Sequence, residues 1–471
     1  MKKFGKFFSY SLIITSIFLL IYITYRSQIT YEGLNNHYYN KYYYIITSVI
    51  ILSFINLKIK ESISSKISAI CVSIILAFYS FEITKYFVDT STQLKTSNLK
   101  KKYAEKRKLY PEYDIRSRLE VYLDEKKKEE DVAVLPVPMS LVSKNTKKLI
   151  PLSGHSKIKT VFCNELGFYV IYKSDRYGFR NPDEQWDKEE IEYLIVGDSL
   201  GHGMCVNEQD TISGWLRNNI KNNEKNGVLN LSMWGNGPLI MYATLREYLN
   251  LKKVKRVLWL HSQGNDFTDI TFEEKSEIMK SYLHDKSYSQ NLSIRQNEIN
   301  EFVLRLIDDR QIDGQEPDMY NKNISFEDIK QIIKLTRLRK LTLDQNFFDQ
   351  YKQPLTENLG SYKKILIQAK ELSEKNNTKF YFVDLPDIWA RKYSEQDNLL
   401  WNEKVIATNE IKSFLKKNEI PYIDIYKKVF ENHEDVLSLF PFRGFGHFNQ
   451  KGYTSTAKSI HDEVMFLESK F

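Results

Sequence analysis

From Phe7 to Tyr25 the chain runs without a charged side chain, and two further uncharged runs follow, Tyr42 to Leu57 and Ile67 to Phe81. A helix needs about 20 mostly apolar residues to cross the hydrocarbon core of a bilayer, with roughly 17 as a lower bound. The first run meets that length, and the second is near the limit. The third reaches it with Glu82 and Lys85 at the interface among Tyr79, Tyr86 and Phe87. Three spanning helices are therefore expected within residues 1–88. Lys2, Lys3 and Lys6 precede the first run, and Lys58, Lys60 and Lys66 separate the second from the third; Arg26 and Lys41 flank the intervening loop. The positive-inside rule puts the N-terminus and the second loop in the cytoplasm, so an odd number of crossings carries the rest of the chain outside. The expected location is the cell membrane, with membrane lipid as a partner of the N-terminal helices.

Residues 89–130 are dense in Lys, Glu and Arg, Leu135-Pro136-Val137-Pro138 is extended, and 89–144 reads as a polar linker. From 145 to 471, strand-like runs near 192–197, 227–231, 256–261, 379–384 and 420–425 alternate with helical patterns. That alternation predicts an α/β domain built on a doubly wound parallel sheet. A charged stretch at about 270–355 reads as a helical insertion able to cover a site and set substrate choice. The net charge of +8 is too mildly basic for a chain of 471 residues to suggest nucleic acid. No His-x-x-x-His, Cys-x-x-Cys, P-loop or Gly-x-Gly-x-x-Gly spacing occurs, so neither a metal nor a nucleotide cofactor is expected. Of the three cysteines, Cys71 lies in the third apolar run; Cys163 and Cys205 both fall in the exported part, and sequence leaves open whether they pair. It leaves the oligomeric state open as well.

Four short blocks carry the chemistry. Gly197-Asp198-Ser199-Leu200 ends the first strand-like run, Asn230 to Gly235 follows the second, Gly264-Asn265-Asp266 follows the third, and Gly446-His447-Phe448-Asn449 precedes the last helix. Together they resemble the SGNH (GDSL-type) hydrolase superfamily over about residues 175–471. The lead-in Asp175-Arg176-Tyr177-Gly178-Phe179-Arg180-Asn181 resembles that of membrane-linked bacterial members that modify cell-surface polysaccharide. The resemblance implies a flavodoxin-like fold, with Ser199 as nucleophile and His447 as its base. It also implies an oxyanion hole made of the Ser199 and Gly235 backbone N–H groups and the Asn265 amide. Asp198 is expected to order the turn. A hydroxyl is a poor nucleophile until a base takes its proton, and imidazole titrates in the useful range. An amide stabilises an oxyanion without competing as a base. His202, His261 and His155 rank below His447 because none has its context.

The family usually has an aspartate three residues before the histidine; here that residue is Gly444. Two arrangements follow. In the favoured one a backbone carbonyl near residue 444 orients His447, giving a Ser-His dyad. In the other an acid arrives from elsewhere, such as Asp384 or Asp387. The expected activity is that of a membrane-anchored esterase or O-acyltransferase acting on acetyl esters of an envelope glycan. The alternatives are an inactive scaffold that binds polysaccharide and a lipid esterase.

Overall fold

The computed structural model describes residues 3–30, 36–95, 105–129, 131–142, 149–308, 326–342, 359–388, 391, 399–444 and 446–470. It forms two compact units, Met1–Asn98 with Asp318–Gln353, and Leu99–Pro317 with Pro354–Phe471. Parts of the expected linker (96–104, 130 and 143–144) and insertion (309–325 and 343–355) lie outside the described residues.

In the first unit the three apolar runs form helices α1 (Phe4–Thr24), α2 (Asn36–Lys58) and α3 (Glu61–Lys95). Two spans, Phe4–Ile29 and Glu61–Val88, are long and apolar enough to cross a membrane. α2 has 23 residues, about 34 Å at 1.5 Å per residue. The distribution of side chains is inside out for water. Phe7 (70%), Tyr44 (74%) and Leu52 (64%) are exposed, whereas Ser9, Ser64 and Ser68 are buried. Small polar residues inside and large apolar residues outside are what helices packed in lipid require. Asn56 on α2 donates through Nδ2 to Ser9 Oγ on α1 (2.9 Å) and to Ser68 Oγ on α3 (3.1 Å), linking all three helices. A side chain at Gly5 would run into Ser64 at 2.3 Å, so only glycine lets α1 approach α3 there.

Part of the expected insertion belongs to this unit. Helices Phe326–Ile333 and Thr336–Thr342 pack on α3. The fully buried Glu82 carboxylate accepts the N–H groups of Arg337 (3.0 Å) and Leu338 (2.9 Å), and pairs with the Arg337 guanidinium at 3.2 Å. A carboxylate placed in an apolar helix is costly unless it is paired, and here both its charge and its lone pairs are answered.

The second unit holds the α/β core. Strands β4 (Glu190–Val196), β5 (Asn226–Asn230), β6 (Arg256–Ser262), β7 (Lys379–Leu385) and β8 (Tyr422–Asp424) form one parallel sheet of order β5-β4-β6-β7-β8. This is the doubly wound, flavodoxin-like order expected. Alternate residues serve opposite faces. Leu194, Val196, Val257 and Trp259 pack on the side of helices Pro238–Tyr248 and Leu359–Lys375, and Tyr193, Ile195, Leu258 and Leu260 on the side of Ile212–Asn219 and Gln450–Glu468. With both faces covered, β6 is buried along its whole length. The chain reverses direction across the sheet at β4, so the ends of β4 and β6 flank the switch point where such sheets bind ligands.

A second, three-stranded sheet precedes it: β1 (Val132–Val134), β2 (Lys159–Val161) and β3 (Ile171–Lys173), with β1 parallel and β3 antiparallel to β2. The structured unit therefore takes in part of the segment read as a linker. Helix Arg118–Lys128, closed by a Ser117–Glu120 capping box, buries Val121 and Tyr122 between its charged positions.

Candidate active site

β4 ends at Val196, and the chain turns through Gly197 and Asp198 into the four-residue helix Ser199–His202. The Asp198 carboxylate accepts the Leu200 N–H at 2.9 Å and fixes the turn. Burial raises its pKa, against the opposing pull of the Leu200 N–H and the His447 charge. A side chain at Gly201 would meet Ser232 Oγ at 2.5 Å, so this turn and the loop after β5 touch backbone to side chain. Asn230 Nδ2 donates to the Gly201 carbonyl (2.9 Å), and the Trp234 N–H donates to His202 Nδ1 (3.2 Å). The same loop carries Gly235 at φ +77°, in the left-handed region that favours glycine.

Ser199 is brought to His447. Its hydroxyl lies 2.8 Å from His447 Nε2, as the sequence predicts for a nucleophile and its base. The other ring nitrogen corrects the favoured expectation. His447 Nδ1 meets Glu165 Oε1 at 2.9 Å, and the His447 backbone N–H donates to Glu165 Oε2 at 3.0 Å. A carboxylate, not a carbonyl near Gly444, orients the imidazole. Gly444 closes a local turn, its N–H donating to the Pro441 carbonyl. Asp384 and Asp387 are engaged elsewhere, Asp384 with Gln263 and Tyr422, Asp387 with Lys404 at 2.7 Å. Glu165 stands on the loop between β2 and β3. Asn164 anchors that loop by accepting the Gly167 N–H (2.8 Å) and donating to the Asp114 carbonyl (2.8 Å).

Burial alone would lower the His447 pKa. The Glu165 carboxylate, through its charge and its hydrogen bond, overcomes that and raises it above the usual 6.5, with Asp198 adding to the effect. Burial alone would raise the Glu165 pKa, but His447 and then Lys106 bring it below the usual value.

Of the three expected oxyanion donors, the backbone N–H groups of Ser199 and Gly235 have no protein acceptor among the described residues. Asn265 Nδ2 donates to Asp269 at 2.6 Å, and the Asn265 side chain also hydrogen-bonds the Asp198 carboxylate. The rival histidines have other duties. His202 is buried, stacked on Phe162 (centroids 4.6 Å apart), and its pKa is driven well down by burial and the Arg180 charge. His261 pairs with Asp266 and Tyr362, each at 2.9 Å. His155 Nδ1 lies by the Ser156 carbonyl.

The lead-in run braces these loops. Asp175 accepts the N–H groups of Tyr177 and Phe179 and those of the Asn181 and Trp186 side chains. The Arg180 guanidinium reaches the Gly203 (2.8 Å) and Val206 (2.6 Å) carbonyls behind the Ser199 helix. Asn181 bonds the Asn230 backbone through both its donor and its acceptor. Cys163 and Cys205 form a disulfide. Among the described residues, no group of His, Cys, Asp and Glu fit to hold a metal occurs.

No family model and no curated protein matches the chain. Among solved structures it is similar to a member of the lipolytic G-D-S-L family from Veillonella parvula, with a TM-score of 0.31 and 13% identity over 58% of this chain and 97% of that one. It is similar also to a protein from Desulfitobacterium hafniense described as lipolytic and of the G-D-S-L family, with a TM-score of 0.30 and 11% identity over 58% and 98%. At these scores the likeness carries no weight in assigning an activity.

Proposed function

We propose that the second unit is a serine esterase of the SGNH type, working through a Ser199–His447–Glu165 triad. The single observation that carries this reading is the His447 ring, bonded to Ser199 Oγ on one nitrogen and to Glu165 on the other. Ser199 Oγ attacks the acyl carbon while His447 Nε2 takes its proton. The carbonyl oxygen becomes an oxyanion, for which the Ser199 and Gly235 N–H groups and the Asn265 amide are the donors. The ester C–O bond then breaks, His447 returns the proton to the departing alkoxide, and the acyl group stays on Ser199. Water or another hydroxyl next takes the acyl group by the same steps in reverse. Hydrolysis and O-acyl transfer thus share one acyl-enzyme.

The inactive-scaffold reading drew on Gly444, and the Glu165 carboxylate removes that support. The lead-in run favours an acetylated envelope glycan as substrate, by resemblance to membrane-linked members. A disulfide in the catalytic unit fits an oxidising compartment, in line with a domain outside the cytoplasm. The Asn56 hub couples α2 to α1 and α3, so the three helices are read as crossing together. Labelling with a fluorophosphonate tests the core of this reading: Ser199 is the expected site of modification.

Two further outcomes are expected. Replacing Asn265 with Ala lowers kcat by roughly a hundred- to a thousandfold, the scale of a lost side-chain oxyanion donor, with KM little changed. Steady-state kinetics on a short-chain acyl ester measure it; an unchanged kcat would leave the oxyanion to the two backbone donors alone. For topology, a reporter active only outside the cytoplasm is active when fused after residue 100 and silent when fused within residues 58–66. The reverse pattern would put the catalytic unit in the cytoplasm and remove the envelope substrate.

A further inference from the structure

In the family pattern the acid lies three residues from the histidine, where the local backbone fixes it. Here the acid stands 282 residues away. Its position is therefore a matter of tertiary structure. Glu165 sits on a loop of the three-stranded sheet, Ser199 at the end of a strand in the five-stranded sheet, and among the described residues no strand pairing joins the two sheets. What joins these two loops covalently is the Cys163–Cys205 disulfide. Cys163 is two residues before Glu165, and Cys205 follows the turn that closes the Ser199–His202 helix. The Cα atoms are 5.3 Å apart and both residues are buried. Phe162, next to Cys163, stacks on His202 of the Ser199 helix, so apolar packing continues the same seam.

We propose, on the basis of the esterase reading above, that the Cys163–Cys205 bridge is a positioning device that holds the Glu165 loop against the Ser199 turn and so keeps the acid on His447. The bridge touches no reacting atom and acts through Glu165. Glu165 in turn faces His447, Lys106 and Tyr453; His447 faces Glu165 and Asp198.

The test is the full-length protein carrying Cys163→Ala and Cys205→Ala, alone and combined with Glu165→Gln. A misplaced catalytic group costs on the order of a hundredfold, and kcat/KM is expected to fall by about that factor. Because a displaced Glu165 no longer raises the His447 pKa, the acid limb of the kcat/KM profile moves to lower pH. Glu165→Gln alone moves the limb the same way, and removing the bridge in that background adds little, since both changes act on one contact. A rate loss with an unmoved limb, or effects that simply multiply, would assign the bridge to stability and overturn the proposal. If the cysteine-free chain does not accumulate, the folded protein is treated with a phosphine. The phosphine gives two electrons to the S–S bond, and water supplies the oxygen that leaves on the phosphine as its oxide and the protons of the two thiols formed. The same limb shift is expected with native circular dichroism retained, while a bridge that opens only as the domain unfolds overturns the proposal. Activity that survives Ser199→Ala would instead sink the esterase reading. A bridge-free protein with native rate and limb, still dependent on Ser199, sinks this proposal alone.

Discussion

Ser199→Ala removes turnover of a short-chain acyl ester, with kcat falling by about a millionfold, the scale of a lost triad serine. The loss is this large because the residue supplies the atom that forms the new bond, and among the described residues no other hydroxyl is placed on His447 Nε2. Folding is retained. The serine keeps its place through backbone bonds that alanine makes equally well, its carbonyl accepting the Met204 N–H and its neighbour Asp198 capping Leu200. Turnover assays and circular dichroism on the same preparation check both halves, together with loss of fluorophosphonate labelling. A folded variant with near-native activity would end the serine-esterase reading.

Glu165→Gln has the second-largest effect. Replacing a triad carboxylate by its amide costs about ten-thousandfold in kcat, because the amide no longer dictates which ring nitrogen holds the proton. The amide also removes the charge that raises the His447 pKa. His447 must be neutral to act as base, so the acid limb of kcat/KM reports its ionisation. In the native protein that limb lies above the usual histidine value, and in the variant it moves down in pH. Lys106 and Asp198 remain in place and do not reverse the sign, since Asp198 also raises the His447 pKa while Lys106 acts on Glu165 itself. Replacing Asp384 or Asp387 with Asn leaves the limb where it is, their partners being Tyr422 and Lys404. A pH–rate series on the three variants distinguishes them. A native limb in Glu165→Gln would remove Glu165 from the triad.

Much of this arrangement was legible in the chain. The five strands were marked by short apolar runs, and their alternation with helices gave a parallel sheet because such strands are buried on both faces. Ser199 and His447 could be placed because each stands in a local block whose neighbours are fixed by turn chemistry. Glu165 had no such block. It lies on a short loop between two three-residue strands, outside the segment that resembles the family, and nothing near it in sequence marks it as an acid for His447. One signal did exist. A Cys163–Cys205 pair forces residue 165 close to the Ser199 turn, but spacing alone did not settle the pairing. The lead-in run was recognised without its task, because the guanidinium of Arg180 serves carbonyls more than twenty residues away. The stretch 326–342, read as part of the insertion, packs instead with the helical unit, where Arg337 meets Glu82 and Tyr86 of α3, contacts that no local pattern marks.

That glutamate changes how the catalytic unit is tethered. The chain leaves the helical unit after Asn98, returns to it over Asp318–Gln353, and leaves again at Pro354. The second unit thus has three covalent junctions with the helical unit, and the middle stretch is also clasped by Glu82. A protease that nicks the chain once, near residue 100, does not shed the domain, because the returning helices still hold it. After such a nick, separation of the two units requires the other two junctions to be cut as well, or the Glu82 clasp to open, so the pair stays together through damage that would free a domain on a single stalk.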